Sequence, residues 1–381
     1  MSALTGCVPT SRQADGRLPA QIKAFRVQVK AGRVRGAQGR IFRVAFHSCG
    51  ATRFRLTSSL DTRSYLLEAM AKARTRSSWN DRLTHWERPP SNNEEAQIER
   101  TANAAMALVS ASAMLTAERV MVRPQGSYFN NTNVRLEADM DLRLQLPDIF
   151  IDYAGDVDQA AADNSEGYRD TGRTFSEIAT LVRNELASAC RAKFGANRVS
   201  IGGKAVSVEG LSGSHADVDL VPAFRLHWIV NNGYGGYHIT EGVAIVGANG
   251  AITQNFPEQH HVNGKTKRPN TAHRFKKVVR MAKRLNCELA DDRAIPHRMP
   301  SFLIECLIYA VEDAFFLQLE DDRYDRLLRV LYRLSALLWD AEWHKTATEV
   351  NDIKYLFHTC QFWTLHEARA FVAAAITQLE A

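Results

Sequence analysis

Two aspartates alternate with two apolar residues in the run Asp139-Met140-Asp141-Leu142. A period of two belongs to a β-strand, in which side chains at i and i+2 leave the same face. Met140 and Leu142 then point into a core and the carboxylates point out of it. Two carboxylates a few ångströms apart repel unless a cation neutralises them. Oxygen-only donors of that type suit Mg²⁺ or Mn²⁺. Thirteen residues before Asp139, Gly126-Ser127 reads as a turn that opens onto a helix N-terminus and offers backbone N–H groups to phosphate. A phosphate cradle and metal carboxylates in one short segment point to phosphoryl transfer. The alternative is a solvated edge strand with two incidental acids.

The spacing Gly126-Ser127-x4-Thr132-x2-Arg135-x3-Asp139-x-Asp141 resembles that of the polymerase-β-type nucleotidyltransferases. Within them it is most similar to the oligoadenylate synthetases and the bacterial cGAS/DncV-like nucleotidyltransferases (CD-NTases). Three further blocks follow in the family's order. Asp217 and Asp219 share one strand face, and Asp219-Leu-Val-Pro-Ala-Phe224 resembles the strand that brings the family's third carboxylate. Asp217 then only flanks the site. Val278-Val-Arg280-Met-Ala-Lys283-Arg284 resembles the family's triphosphate-binding helix. Lys276, Arg280 and Lys283 fall on one helical face at i, i+4 and i+7, for which a solvated basic face is the plainer reading. Pro300-Ser301-Phe302-Leu-Ile-Glu305 resembles the helix whose aromatic residue stacks on the base and whose preceding polar side chain lies near the phosphates. Simple core packing is the other reading of Phe302. The likeness spans about residues 123–309. One departure is Ala138, where Ser or Asp usually precedes the first catalytic Asp.

Charge decides which partners fit. The net charge of +6 hides an uneven distribution: residues 1–60 hold eleven Lys/Arg and one acid, leaving 37 basic and 41 acidic residues beyond them. The body is mildly acidic and offers no general surface for nucleic acid. Residues 1–58 read as an unstructured basic leader; an Arg-rich arm contacting nucleic acid or a targeting peptide are the alternatives. No apolar run approaches the ~18 residues that a membrane span needs. Cys7, Cys49, Cys190, Cys287, Cys306 and Cys360 include no C-x-x-C pair, which predicts free thiols in a reducing cytosol and no zinc site.

Helical periodicity starts near Asp61 (Tyr65, Leu66, Leu67, Met70, Ala71) and stops at Pro89-Pro90. Ser91 and Glu94 have capping-box spacing and open a helix to about Ala117. Val120–Val122 reads as a strand, Asp148–Arg173 as an acidic loop, and Thr174–Phe194 as an amphipathic helix with Ile178, Leu181, Val182, Leu186 and Cys190 inward. Val199–Val208 reads as one strand around Gly202-Gly203, Trp228–Phe256 as short strands, and Pro257–Asn270 as a polar loop with surface histidines His260 and His261. Thr271–Leu285, Arg323–Leu338 and Leu365–Leu379 read as helices. Two motifs fail on inspection. Gly264-Lys265-Thr266 is not a P-loop because position 259 is Gln259, and His366-Glu367 lacks the second histidine at Ala370.

The resemblance implies a two-lobe α/β (α+β) polymerase-β-like fold, with a mixed-sheet catalytic lobe over 59–256 and a helical lobe over 257–381. It implies Asp139, Asp141 and Asp219 as catalytic residues holding Mg²⁺ (or Mn²⁺). Gly126, Ser127, Lys276, Arg280, Lys283 and Ser301 would bind phosphates, and Phe302 the base. The implied activity joins NTPs without a template into a cyclic oligonucleotide second messenger. The implied setting is the cytoplasm, in bacterial anti-phage (CBASS) signalling, with a downstream effector activated by the product. Nucleotidyl transfer to RNA or protein, or synthesis of linear oligonucleotides, is the competing reading. A non-catalytic binding module fits poorly, since a lost activity would not keep like charges together.

Overall fold

The computed structural model describes residues 75–134, 140–211, 213–318 and 322–381. The leader 1–58, the helix expected from Asp61, and Arg135 and Asp139 lie outside the described residues. Helices begin where a side chain can take up their free N–H groups. Thr75 caps α1 (Arg76–Trp86), and both bonds of the expected Ser91/Glu94 capping box open α2 (Asn92–Ala111). α3 (Ala113–Ala117) leads to strand β1 (Met121–Gln125), which runs into the single turn α4 (Gly126–Phe129).

The acidic stretch is more ordered than expected. β2 (Met140–Tyr153) crosses its first part, and α5 (Gln159–Glu166) fills its middle, capped by Asp158 and closed by Gly167 in the left-handed conformation. The ladder slips between Leu146 and Ile149, where Pro147 has no N–H to contribute. α6 (Phe175–Phe194) matches its expected span, but Leu181 is 58% exposed. The strand expected around Gly202-Gly203 is a hairpin, β3 (Val199–Ile201) and β4 (Val206–Val208), which pair antiparallel. β5 (Val218–Asn231), β6 (Tyr237–Val246) and β7 (Ile252–Asn255) follow.

The strands form one mixed sheet in the order β1-β2-β5-β4-β3, with β6 also on β5 and β7 on β6. β2 and β5 are parallel; the other pairs are antiparallel. Pro222 would weaken a central strand, but it lies between the residues that pair with β4 (up to Leu220) and with β6 (from Phe224), so the antiparallel side needs no N–H there. Leu142, Leu144, Leu220 and Phe224 are buried in a core with Ile98 and Ala105 of α2 and Ile178, Val182 and Leu186 of α6. The carboxylates alternate onto the opposite face.

The rest is helical. Pro257–Asn270, expected as a loop, is helix α7. α8 (Phe275–Asp291), α9 (Ser301–Ala310), α10 (Arg323–Trp339), α11 (Ala341–Thr346) and α12 (Leu365–Glu380) complete the chain. A second core gathers Val278, Met281 and Leu285 with Leu303, Leu307, Leu331 and Phe371. Trp79 and Leu83 of α1 join this helical core rather than the sheet. Residues 75–381 fall in one compact unit. Among the described residues no helix is long and apolar enough to cross a membrane. Cys190, Cys287 and Cys306 are free and buried, whereas Cys360 is disulfide-bonded, which corrects the expectation of free thiols at that position.

Candidate active site

Strand register builds the site's centre. Asp141 on β2 pairs with Asp219 on β5, so two half-buried carboxylates leave the same face of neighbouring strands, about 4.8 Å apart at the backbone. Ser207, opposite Asp219 on β4, donates its hydroxyl to Asp219 Oδ1 at 2.5 Å and fixes that side chain. Asp217 is exposed and accepts the Gly210 N–H at 2.8 Å, so it secures the neighbouring turn. Gly126 faces the other side of Asp141. Its φ is +70°, and a Cβ there would sit 1.9 Å from Asp141 Oδ2, so only glycine leaves room for that carboxylate.

A cavity of about 460 Å³ opens at this point. Seven of the ten expected site residues line it: Gly126, Ser127, Asp141, Asp219, Lys283, Ser301 and Phe302. α4 is one turn long, which makes its dipole small. Its contribution is to place Ser127 on the cavity wall. Phe302 packs toward Trp363 and His260, with ring centroids 6.0 and 5.5 Å away, and stays partly open to the cavity.

Lys276 and Arg280 are not on the cavity wall. α4 closes in a Schellman-type turn: Thr132 N–H bonds Ser127 O, Asn131 N–H bonds Tyr128 O, and Asn131 is left-handed at φ 53°. The next carbonyls are taken by the basic stripe of α8. Lys276 Nζ donates to Asn130 O at 2.6 Å, Arg280 to Asn131 O at 2.7 Å, and Lys283 Nζ to Thr132 O at 3.1 Å. Arg280 also donates to Glu87 O at 2.7 Å. The three side chains are 8%, 5% and 3% exposed, and burial lowers the pKa of Lys276 and brings that of Arg280 down to about 10. Three cations from one helix thus clamp three consecutive carbonyls, and only Lys283 reaches the cavity. Lys276→Met should leave the Asn130 carbonyl unpaired and cost about 1–3 kcal/mol of stability. Thermal melting should show that loss, while affinity for a non-hydrolysable triphosphate should change less than threefold. A tenfold affinity loss at unchanged stability would instead put Lys276 at the phosphates.

Lys283 is held by Glu305, 3.2 Å away, which also bonds His260 Nε2 at 2.9 Å and the Thr132 hydroxyl at 2.6 Å. Burial alone would raise the Glu305 pKa; Lys283, His260 and Thr132 reverse that and hold it at about 2. His260 is therefore a buried member of this network. His261 stacks on Phe129 with ring centroids 4.1 Å apart. Neither histidine is the surface-loop residue that the sequence suggested. Glu349 and Asn351, between α11 and α12, also line the cavity, and no motif marks them. They are tied to each other by Asn351 Nδ2 donating to Glu349 Oε2 at 2.6 Å.

The donor set fits a hard divalent cation. Asp141 and Asp219 are oxygen ligands side by side, and Mg²⁺ typically takes one or two carboxylates and completes its shell with water and substrate phosphate. Among the described residues no group of three or more His, Cys, Asp or Glu gathers into a metal site; Asp139, the third expected carboxylate, lies outside them.

Residues 262–380 match the family model of the cGAS/DncV-like nucleotidyltransferase C-terminal helical domain. The cyclic dipyrimidine nucleotide synthase CdnE of Legionella pneumophila is 32% identical over 312 residues, covering 79% of this chain and 98% of that protein. The cyclic dipurine nucleotide synthase of Elizabethkingia meningoseptica is 29% identical over 294 residues, covering 76% and 94%. Among solved structures, the Elizabethkingia meningoseptica CdnE cyclic dinucleotide synthase with GTP and Apcpp aligns with a TM-score of 0.62 at 26% identity, covering 79% of this chain and 99% of that one. The likeness runs through the carboxylate-bearing sheet as well as the helices behind it, and the chain belongs to the cGAS/DncV-like nucleotidyltransferases.

Proposed function

We propose that this enzyme joins two nucleoside triphosphates, without a template, into a cyclic dinucleotide second messenger. The observation that carries the reading is the shared register of Asp141 and Asp219 at a cavity that also holds Ser127 and Lys283. Asp139, Asp141 and Asp219 would hold Mg²⁺ or Mn²⁺, which when bound neutralises phosphate charge and lowers the pKa of an acceptor hydroxyl. Lys283 offsets the charge of the triphosphate, and the Ser127 hydroxyl and Ser301 donate to its oxygens. Phe302 stacks on the base. Gly126 keeps the backbone close to Asp141. Lys276 and Arg280 act at one remove, through the Asn130–Thr132 turn. A ribose hydroxyl attacks the α-phosphorus, the bond to the β,γ-diphosphate breaks, and pyrophosphate leaves. A second round closes the ring. Catalysis is then mostly positioning and charge neutralisation.

Two relatives named as cyclic dipyrimidine synthases, at 32% and 29% identity, favour pyrimidine NTPs as substrates. The family supports a role in anti-phage signalling, with the enzyme in the cytoplasm and an effector activated by its product. Purified protein given all four NTPs with Mg²⁺ should release pyrophosphate without added nucleic acid. Label from α-labelled UTP or CTP should enter a species that resists phosphatase and yields to phosphodiesterase. Label released by phosphatase alone would mean linear products, and label found only on added RNA or protein would overturn the reading.

A further inference from the structure

Asn133 follows the three clamped residues directly. Its two chain neighbours are fixed: Thr132 holds Lys283 and Glu305, and Val134 is buried on the cavity wall. Asn133 is itself 4% exposed and lines the cavity. Its side-chain Nδ2 is buried without a hydrogen-bond partner among the described residues. Of the buried side-chain atoms in that condition, Asn133 Nδ2 is the one whose residue belongs to the cavity wall. A buried donor left unpaired destabilises the free protein, so one kept on a cavity wall implies an acceptor that arrives with the ligand.

The surroundings say which acceptor. Lys283 is the one Lys or Arg lining the cavity among the described residues. Its Nζ lies 3.1 Å from the carbonyl and 3.3 Å from the hydroxyl of Thr132, the residue before Asn133. Thr132 also donates its N–H to Ser127 O at 2.9 Å. Asn133 therefore sits where a polyanion would gather between Ser127 and Lys283. We propose that Asn133 is a substrate-binding residue whose Nδ2 donates to a phosphate oxygen of the bound NTP, held ready by the carbonyl clamp of α8. This rests on the reading of the cavity as an NTP site. The stripe that the sequence pattern assigns to the triphosphate would then serve it by aiming a neutral donor.

The test separates a ligand contact from an internal one. Asn133→Ala should melt at the wild-type temperature or slightly above it in the free state, because it removes an unpaired donor. Its affinity for a non-hydrolysable NTP analogue and for tripolyphosphate should fall about tenfold, with nucleoside binding unchanged. Asn133→Asp keeps the shape and removes the donor, so it carries the same test should the alanine variant fail to fold; its loss should be larger. A lower free-state melting temperature with unchanged affinity would make the amide a structural group and overturn the proposal. So would a loss confined to the nucleoside, which would place the acceptor on the base or ribose. Failure of the wild-type protein to bind any NTP would sink the cavity reading and this inference together. Failure of the inference alone would leave wild-type binding and turnover intact.

Discussion

Asp141→Asn and Asp219→Asn should each reduce pyrophosphate release by ~10³-fold or more, equivalent to about 4 kcal/mol of transition-state stabilisation. The two carboxylates stand abreast on parallel strands and are expected to share the charge of a divalent cation. Removing one should not cost the fold. In the metal-free protein the neighbouring negative charges repel, so Asp141→Asn should melt at or above the wild-type temperature. Asp219→Asn gives up part of a charge-assisted bond from Ser207 and should melt slightly lower. Asp217→Asn should be much milder in rate, because that carboxylate already serves the Gly210 turn. Steady-state pyrophosphate release across the three variants, alongside their melting curves, checks the order. Near-wild-type turnover in Asp141→Asn would remove β2 from the chemistry.

Gly126→Ala should come close to the aspartate variants in effect. At φ +70° an alanine costs about 1–2 kcal/mol of backbone strain. The larger effect is steric: the new methyl would sit 1.9 Å from Asp141 Oδ2, so the carboxylate must leave its position. A displacement of about 1 Å at a reacting centre costs on the order of 10²-fold in rate. Gly233 provides the control, since its φ is +77° and nothing lies within 4 Å of a Cβ there. Gly233→Ala should show the backbone cost in its melting curve with turnover intact. Equal activity loss in both variants would mean that strain, and not the approach to Asp141, accounts for the effect.

What the sequence reveals depends on whether burial is written in apolar residues. The alternation at Asp141, the stripe of Ile178, Val182 and Leu186, and the Ser91/Glu94 cap are all legible because hydrophobic or capping chemistry marks them. α7 is not. Its buried positions are His260, Gly264 and Lys267, at i, i+4 and i+7, which make a helical stripe without one apolar residue. His260 is satisfied by Glu305, and Lys267 by Val311 O and Asp313. Such partners come from distant sequence and leave no local trace. The basic stripe of α8 fails in the same way, since its cations meet buried carbonyls 146 to 151 residues away. α5 is a different case: its Asp158 cap and Gly167 stop are both present in the sequence, but the acidic composition between them reads as loop. The cavity wall around Glu349 and Asn351 comes from a loop with no motif at all.

The most direct measurement is the mass of the product formed from mixed NTPs by the wild-type enzyme, with Asp141→Asn treated in parallel. The expected species weighs two nucleoside monophosphates less two waters, carries pyrimidine bases, and is absent from the variant. A product of the wild-type enzyme that retains a terminal triphosphate, or an identical product from both proteins, would contradict ring closure at the Asp141–Asp219 centre.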